Sequence, residues 1–285
     1  MAGFVEIVEV GPRDGLQNEA RAIPVAEKVA LIDALSGAGF RRIEAASFVS
    51  PKWVPQMAGS AEVMANIKRL PGVRYTALAP NLRGLEDAAA AGVDEVAVFA
   101  SASEAFSRAN INASIEESFV RFGAVIEAAS ARELPVRGYV SCVTDCPYEG
   151  PVAPEAVVRV SAALFEAGCI EISLGETLGR GTPESVDAML AAVTDVVAPE
   201  HLAGHFHDTS GRALENVGVA LGHGIRVFDA SVGGLGGCPY APGAAGNVAT
   251  GAVAGYLAVA GFDHGLDMAQ LQTASALAQT LTGER

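Results

Sequence analysis

Eight short runs rich in β-branched and apolar residues recur along the chain, at residues 5–10, 42–46, 74–79, 95–100, 136–142, 170–174, 202–206 and 227–231. Between them lie alanine-rich stretches with apolar residues at three- and four-residue spacing, at 25–38, 60–69, 82–91, 115–131, 154–167, 183–197 and 211–222, with a helical tail from Gly251 onward. Gly39, Gly92, Gly168 and Gly224 stand just beyond four of these stretches, where a left-handed residue ends a helix and turns the chain toward the next strand. Eight evenly spaced strand–helix units predict an α/β fold, a single (β/α)8 TIM barrel over residues 1–285 with a short helical C-terminal extension. A doubly wound open sheet is the alternative, but the even spacing favours closure. No linker, low-complexity stretch or charge block marks a second domain.

Half of the 285 residues are hydrophobic, which suits a large core rather than a disordered chain. The net charge of −14 argues against nucleic acid as a partner, while leaving room for an anionic small substrate in a locally positive pocket. No apolar run reaches the roughly 18–20 residues that span a bilayer, so no membrane association is expected. The N-terminal residues lack a basic segment and signal-peptide core, and the expected location is the cytoplasm. Four cysteines in a chain this long do not resemble a disulfide framework. Cys142, Cys146 and Cys169 read as buried free thiols.

A barrel of this kind carries its chemistry at the C-terminal ends of its strands. Chemically useful side chains fall there. Arg13 and Asp14 follow strand one, with Gln17 close behind, and Glu44 and Ser47 end strand two. Arg137, Tyr139 and Ser141 lie on strand five, and Glu176 and Thr177 follow strand six. His205, His207 and Asp208 close strand seven, while Cys238 and Asn247 lie beyond strand eight.

His205 and His207 are two apart, so on a strand both imidazoles point to one side. With Asp14 and Asn247 they offer mixed nitrogen and oxygen ligands, a set suited to Mg2+, Mn2+ or a similar divalent ion. The competing reading is a pair of hydrogen-bonded core histidines. Arg13 beside Asp14 could steady an enolate or carboxylate oxygen, or could pair with Glu44, or both. Cys238 sits in Gly-Gly-Leu-Gly-Gly-Cys-Pro-Tyr. That run suits a lid bringing a thiol to a substrate, a phosphate-binding loop without the P-loop lysine, or a plain turn. Glu176 and Asp208 are possible acid–base groups. His201, His223 and His264 read as non-catalytic.

The motifs Val-Gly-Pro-Arg13-Asp14-Gly-Leu-Gln17-Asn-Glu, Ser47-Phe-Val-Ser-Pro-Lys-Trp, Val-Arg137-Gly-Tyr139-Val-Ser-Cys, His205-Phe-His207-Asp-Thr and Gly-Gly-Leu-Gly-Gly-Cys238-Pro-Tyr together resemble the 3-hydroxy-3-methylglutaryl-CoA lyase family. The resemblance runs over essentially the whole chain. It implies a metal-dependent cleavage of an acyl-CoA thioester to acetyl-CoA and acetoacetate, the chemistry of leucine degradation and ketone-body formation. It further implies Asp14, His205, His207 and Asn247 as metal ligands and Arg13 as the group that polarises the thioester carbonyl. Glu44 supports the arginine and Cys238 is the thiol of a mobile loop. Glu176 and His205 are implied as acid–base groups, Gln17, Ser47, Arg137, Tyr139 and Thr177 as substrate contacts, and a homodimer or larger assembly as the working form.

Three positions depart from the family pattern. Glu176 replaces an aspartate, Ala20 a lysine and Gly251 an acidic residue. They predict an altered acyl pocket and a related substrate, another 3-hydroxy-3-substituted acyl-CoA or citramalyl-CoA. A condensing synthase of the isopropylmalate type, which generally carries long C-terminal additions, and a non-catalytic scaffold barrel are the competing classes. No stretch announces the contacts of the CoA nucleotide, although Lys52 and Arg83 lie in loops near barrel ends.

Overall fold

In the computed structural model, which describes residues 3–236 and 246–282, eight parallel strands close into a barrel. They are β1 (Glu6–Glu9), β2 (Arg42–Ser47), β3 (Arg74–Leu78), β4 (Glu95–Ser101), β5 (Val136–Ser141), β6 (Glu171–Glu176), β7 (Leu202–Phe206) and β8 (Val227–Ala230). Each strand pairs with its sequence neighbours, and β1 closes the ring by pairing with both β2 and β8. The helices α1 (Val25–Gly37), α2 (Ser60–Asn66), α3 (Leu82–Ala90), α4 (Glu104–Ile111), α5 (Ile115–Ser130), α6 (Pro154–Glu166), α7 (Pro183–Thr194), α8 (Ala213–Gly222) and α9 (Thr250–Val259) follow the strands in turn. A tenth, α10 (Met268–Leu281), forms the C-terminal extension and is tied to the first unit, since Arg21 Nε donates to the Leu281 carbonyl (3.1 Å). No described helix is long and apolar enough to cross a membrane.

The differences from the sequence reading have local causes. Gly39, Gly92, Gly168 and Gly224 all take positive φ, as a C-cap requires. The helix expected over 60–69 stops at Asn66, where Ile67 is already extended. Helix α4 was not expected. It fits between strand four and the 115–130 helix because Ser103 caps it, accepting from the Phe106 N–H (3.1 Å), and Asn112 ends it at φ 50°. Residues Gly11–Gly15, which follow strand one, form a π-helical turn at the mouth of the barrel.

Apolar side chains fill the layer between strands and helices, but the barrel's interior is charged. Arg42 donates to Glu6 (2.9 Å) and to both oxygens of Glu171 (2.9 and 3.0 Å) at the N-terminal end. One step up, Arg137 bonds Glu171 (2.7 Å) and reaches Asp229 (2.8 Å), and Asp229 in turn meets His205. Charges buried this deep are tolerated only when paired. The ladder therefore fixes which strand faces which across the barrel.

Near the mouth, Glu9 ties three segments together. Its carboxylate accepts from the Gly11 N–H (2.8 Å), the Val232 N–H (2.9 Å) and the Thr250 hydroxyl (2.7 Å), joining the Arg13–Asp14 turn, the end of β8 and the start of α9.

Gly204 precedes His205 on β7, and a Cβ there would stand 2.7 Å from the Phe206 ring and about 3.0 Å from that of Phe228. Gly204→Ala is therefore expected to lower stability by about 1–3 kcal/mol through overpacking. The urea midpoint measures it, and an unchanged midpoint would show that these rings can yield.

Candidate active site

A cavity of ≈ 960 Å³ opens at the C-terminal end of the barrel. Its wall includes Arg13, Asp14, Gln17, Tyr139, Thr177, His205, His207 and Asn247. Asp14, His205 and His207 come together there, with ligand atoms within 4.8 Å of one another. They arrive from different elements. Asp14 is presented by the π-helical turn after β1, and His205 and His207 come from the end of β7. Asn247 joins them because His207 and Asn247 form an antiparallel bridge and the Asp208 N–H donates to the Gly246 carbonyl (2.7 Å).

Asp14 Oδ2 accepts from the Asn247 amide (2.8 Å) and lies 4.0 Å from His205 Nε2. Its Oδ1 accepts from Arg13 Nη1 (2.6 Å) and from Gln17 (3.1 Å). Burial opposes its charge, yet Arg13 and His205 outweigh burial and hold the carboxyl below its ordinary range. Asp14 thus stays anionic at neutral pH. The pKa of His207 is lowered as well: burial and the adjacent His205 push it down to about 4, so the ring is neutral. Its Nδ1 is buried with no hydrogen-bond partner. A neutral imidazole with an orphaned buried nitrogen, beside an anionic carboxylate and a second imidazole, is a donor set that fits a divalent cation. The amide oxygen of Asn247 is its available ligand atom, the nitrogen being given to Asp14.

Arg13 is buried, and its Nε donates to Glu44 Oε2 (2.7 Å) while the guanidinium still faces the cavity. Burial works against the charge on Arg13, but Glu44 and Asp14 more than restore it and its pKa is raised. Both readings of this arginine hold at once: it is ion-paired and it is presented to the pocket. Tyr139 lies beneath it, with the Arg13 guanidinium carbon 5.6 Å from the ring centre and the His205 ring edge-on at 6.1 Å.

Of the other residues singled out from the sequence, Ser141 and Thr177 line the cavity and most of the rest lie elsewhere. Arg137 belongs to the charged ladder inside the barrel and does not line the cavity. Ser47 is also absent from the wall, its backbone bound to the Ser60 hydroxyl. Thr177 lines the cavity, but its hydroxyl is engaged in accepting from the Cys142 N–H (2.8 Å). Glu176 is buried beneath the loop after β6, accepting from the Thr144 hydroxyl (3.1 Å) and the Arg180 N–H (3.2 Å). Burial raises its pKa, and it does not reach the cavity wall. His201, His223 and His264 likewise lie outside the wall, as do Lys52 and Arg83. Cys238 lies outside the described residues.

The sequence reading missed the basic side of the mouth. Arg108, Asn110 and Asn112 from the end of α4, and Arg121 from α5, line the cavity together with the exposed Trp53. With Arg13 they put three guanidinium groups in the wall, Arg108 being paired with Glu104 (2.8 Å), and Asp14 is the one acidic residue in the described wall. Asp229 was also missed. The available signal was an acidic residue in the middle of an otherwise apolar strand.

The comparisons with known proteins agree with this geometry. Residues 4–278 match the family described as HMGL-like. The 3-hydroxy-3-isohexenylglutaryl-CoA/hydroxy-methylglutaryl-CoA lyase of Pseudomonas aeruginosa is 60% identical over 246 residues, 86% of this chain and 82% of that protein. The hydroxymethylglutaryl-CoA lyase of Pseudomonas mevalonii is 56% identical over 93% of this chain and 88% of its own length. The crystal structure of the HMG-CoA lyase from Brucella melitensis superposes with a TM-score of 0.98 at 59% identity, covering 99% of this chain and 100% of that one.

Glu9 provides a pH test of the scaffold under the site. Burial raises its pKa from an ordinary 4.5 to about 7, against the opposing hydrogen bonds from Val232, Thr250 and Gly11. A carboxyl raised in the folded state binds more protons folded than unfolded, so its contribution falls as pH rises from about 4.5 toward 7 and stays lost above. Glu9→Gln, which keeps an acceptor and can donate to Thr250, removes that loss. The variant is expected to gain stability over wild type at pH 8, on the order of 3 kcal/mol at most, and little at pH 5. Equal differences in melting temperature at the two pH values would contradict it.

Proposed function

We propose that this chain, which belongs to the HMGL-like family, is a divalent-metal-dependent carbon–carbon lyase that cleaves 3-hydroxy-3-methylglutaryl-CoA to acetyl-CoA and acetoacetate. The observation that carries this reading is the meeting of Asp14, His205 and His207 beside a buried, cavity-facing Arg13. Mg2+ or Mn2+ held by these residues and Asn247 would supply Lewis-acid polarisation of the substrate's tertiary hydroxyl.

The residues divide the remaining work. Arg13 donates to the thioester carbonyl oxygen, where negative charge grows as the C2–C3 bond breaks and an enolate forms. Glu44 keeps the guanidinium in place and Tyr139 supports it from beneath. The hydroxyl proton must leave as the new ketone forms. His205 is poorly suited to take it, because Nδ1 is bonded to Asp229 and Nε2 is the nitrogen that faces Asp14. Asp14 is our choice of acceptor because it is the carboxylate in the cavity wall. The enolate is then protonated at C2, with Cys238 as the donor carried over from the family pattern. Arg108 and Arg121 offer charge for the anionic coenzyme end of the substrate.

Glu176, Ala20 and Gly251 do not argue for a different acyl group. None lines the cavity: Glu176 is engaged with Thr144 and Arg180, while Ala20 and Gly251 are exposed. The reading includes one catalytic domain working in the cytoplasm as a dimer or larger, in the setting of leucine degradation and ketone-body formation.

The test is acetyl-CoA release from 3-hydroxy-3-methylglutaryl-CoA with Mn2+ or Mg2+, repeated with chelator. Metal-dependent release is expected, and no release in the presence of metal defeats the proposal. Arg13→Met should lower kcat by roughly 10²–10³ with the fold intact. Arg13→Lys should recover little, since one ammonium cannot serve Glu44, Asp14 and the carbonyl together.

A further inference from the structure

Asp229 is a fully buried carboxylate inside the barrel and is not part of the cavity wall. It faces His205 across neighbouring parallel strands, in direct register. Its Oδ2 accepts from the Ser173 hydroxyl (2.8 Å) and from Arg137 Nη1 (3.1 Å), and lies 3.1 Å from His205 Nδ1. Arg137 Nη2 stands 2.8 Å from Oδ1. Arg137 is itself held from below, where Glu171 takes its Nε (2.7 Å) and is shared with Arg42. Tyr139 closes the unit from above, its hydroxyl 3.0 Å from Arg137 Nη1.

We propose that Asp229, clamped by Arg137 and Ser173, is a positioning residue that sets the ligating nitrogen of His205. An imidazole has two nitrogens, and whichever carries the hydrogen bond to an acceptor cannot offer a lone pair. With Nδ1–H donated to Asp229, the lone pair is left on Nε2, the nitrogen directed toward Asp14. The ring's rotation is fixed by the same bond. Asp229 cannot swing away to release it, because Ser173 holds one of its oxygens and the Arg137 guanidinium meets both. Arg137 thus serves the site through Asp229 rather than by touching a substrate. Partners of this kind behind a ligating histidine typically change metal affinity or activity by roughly 10–100-fold.

The inference rests on the metal reading of Asp14, His205 and His207, so the experiment separates the two. Metal-free wild type is titrated with Mn2+ alone, following free Mn2+ by its spin resonance, and thermal unfolding of the metal-free proteins is recorded in parallel. Asp229→Asn is expected to bind Mn2+ about 10–100-fold more weakly than wild type. It also leaves Arg137 short of one counter-charge, which would lower stability for a purely structural reason. The double variant Arg137→Met/Asp229→Asn removes that imbalance while Glu171 keeps Arg42. Its unfolding midpoint should return toward wild type while its Mn2+ affinity stays low. Wild-type affinity in either variant would overturn the inference, and the double variant decides the matter alone should Asp229→Asn fail to fold. If wild type binds no Mn2+, the metal reading falls and the inference with it.

Discussion

A guanidinium buried inside a barrel must meet its counter-charges there, and Arg137 meets them on two other strands. Glu171 lies below it on β6 and Asp229 beside it on β8, with Arg42 and Glu6 extending the pairing to the N-terminal end. Barrels of this architecture usually pack branched apolar side chains in that space. Here the interior is a stack of ion pairs, and breaking any one would leave a charge with no solvent to turn to. The pairing is useful because it leads upward. Its top member, Asp229, is the partner of His205, so the charges inside the barrel and the geometry of the site form one connected structure.

The mouth is organised by the same economy of partners. Asp14 is shared by Arg13, Gln17 and Asn247, and Arg13 is shared by Asp14 and Glu44. Each residue therefore orients another. Glu9 performs the corresponding task for the backbone, fastening the turn that bears Arg13 and Asp14 to the segments that follow β8. Several buried polar atoms are left without a hydrogen bond, Glu44 Oε1 and His207 Nδ1 at the mouth among them. The neutral His207 ring keeps a buried nitrogen unpaired, as a ligand awaiting a cation would.

Much of the fold was legible in order because strand and helix leave separate periodicities in the sequence, and glycine is needed wherever a helix must end in a left-handed residue. Gly39, Gly92, Gly168 and Gly224 took that conformation. Helix α4 was illegible because its apolar face is only Phe106 and its neighbours, and its start depends on one serine cap. Within the site, Asp14, His205 and His207 could be read from residue type and spacing. Arg137 and Glu176 could not be placed, since a polar residue near a strand end looks the same whether it faces the cavity, the barrel interior or a loop.

The sequence by itself determined the strand–helix alternation, the glycine punctuation and the presence of a mixed imidazole–carboxylate set beside an arginine, because local periodicity and residue chemistry are properties of neighbours along the chain. Only the tertiary structure decided that Arg137 pairs with Asp229 inside the barrel, that Glu176 lies under a loop, and that α4 supplies the basic side of the mouth. Those outcomes depend on register between strands far apart in sequence. Asp229 stands opposite His205 because closing the barrel brings the third residue of β8 level with the fourth of β7, and nothing nearby in the chain encodes that alignment.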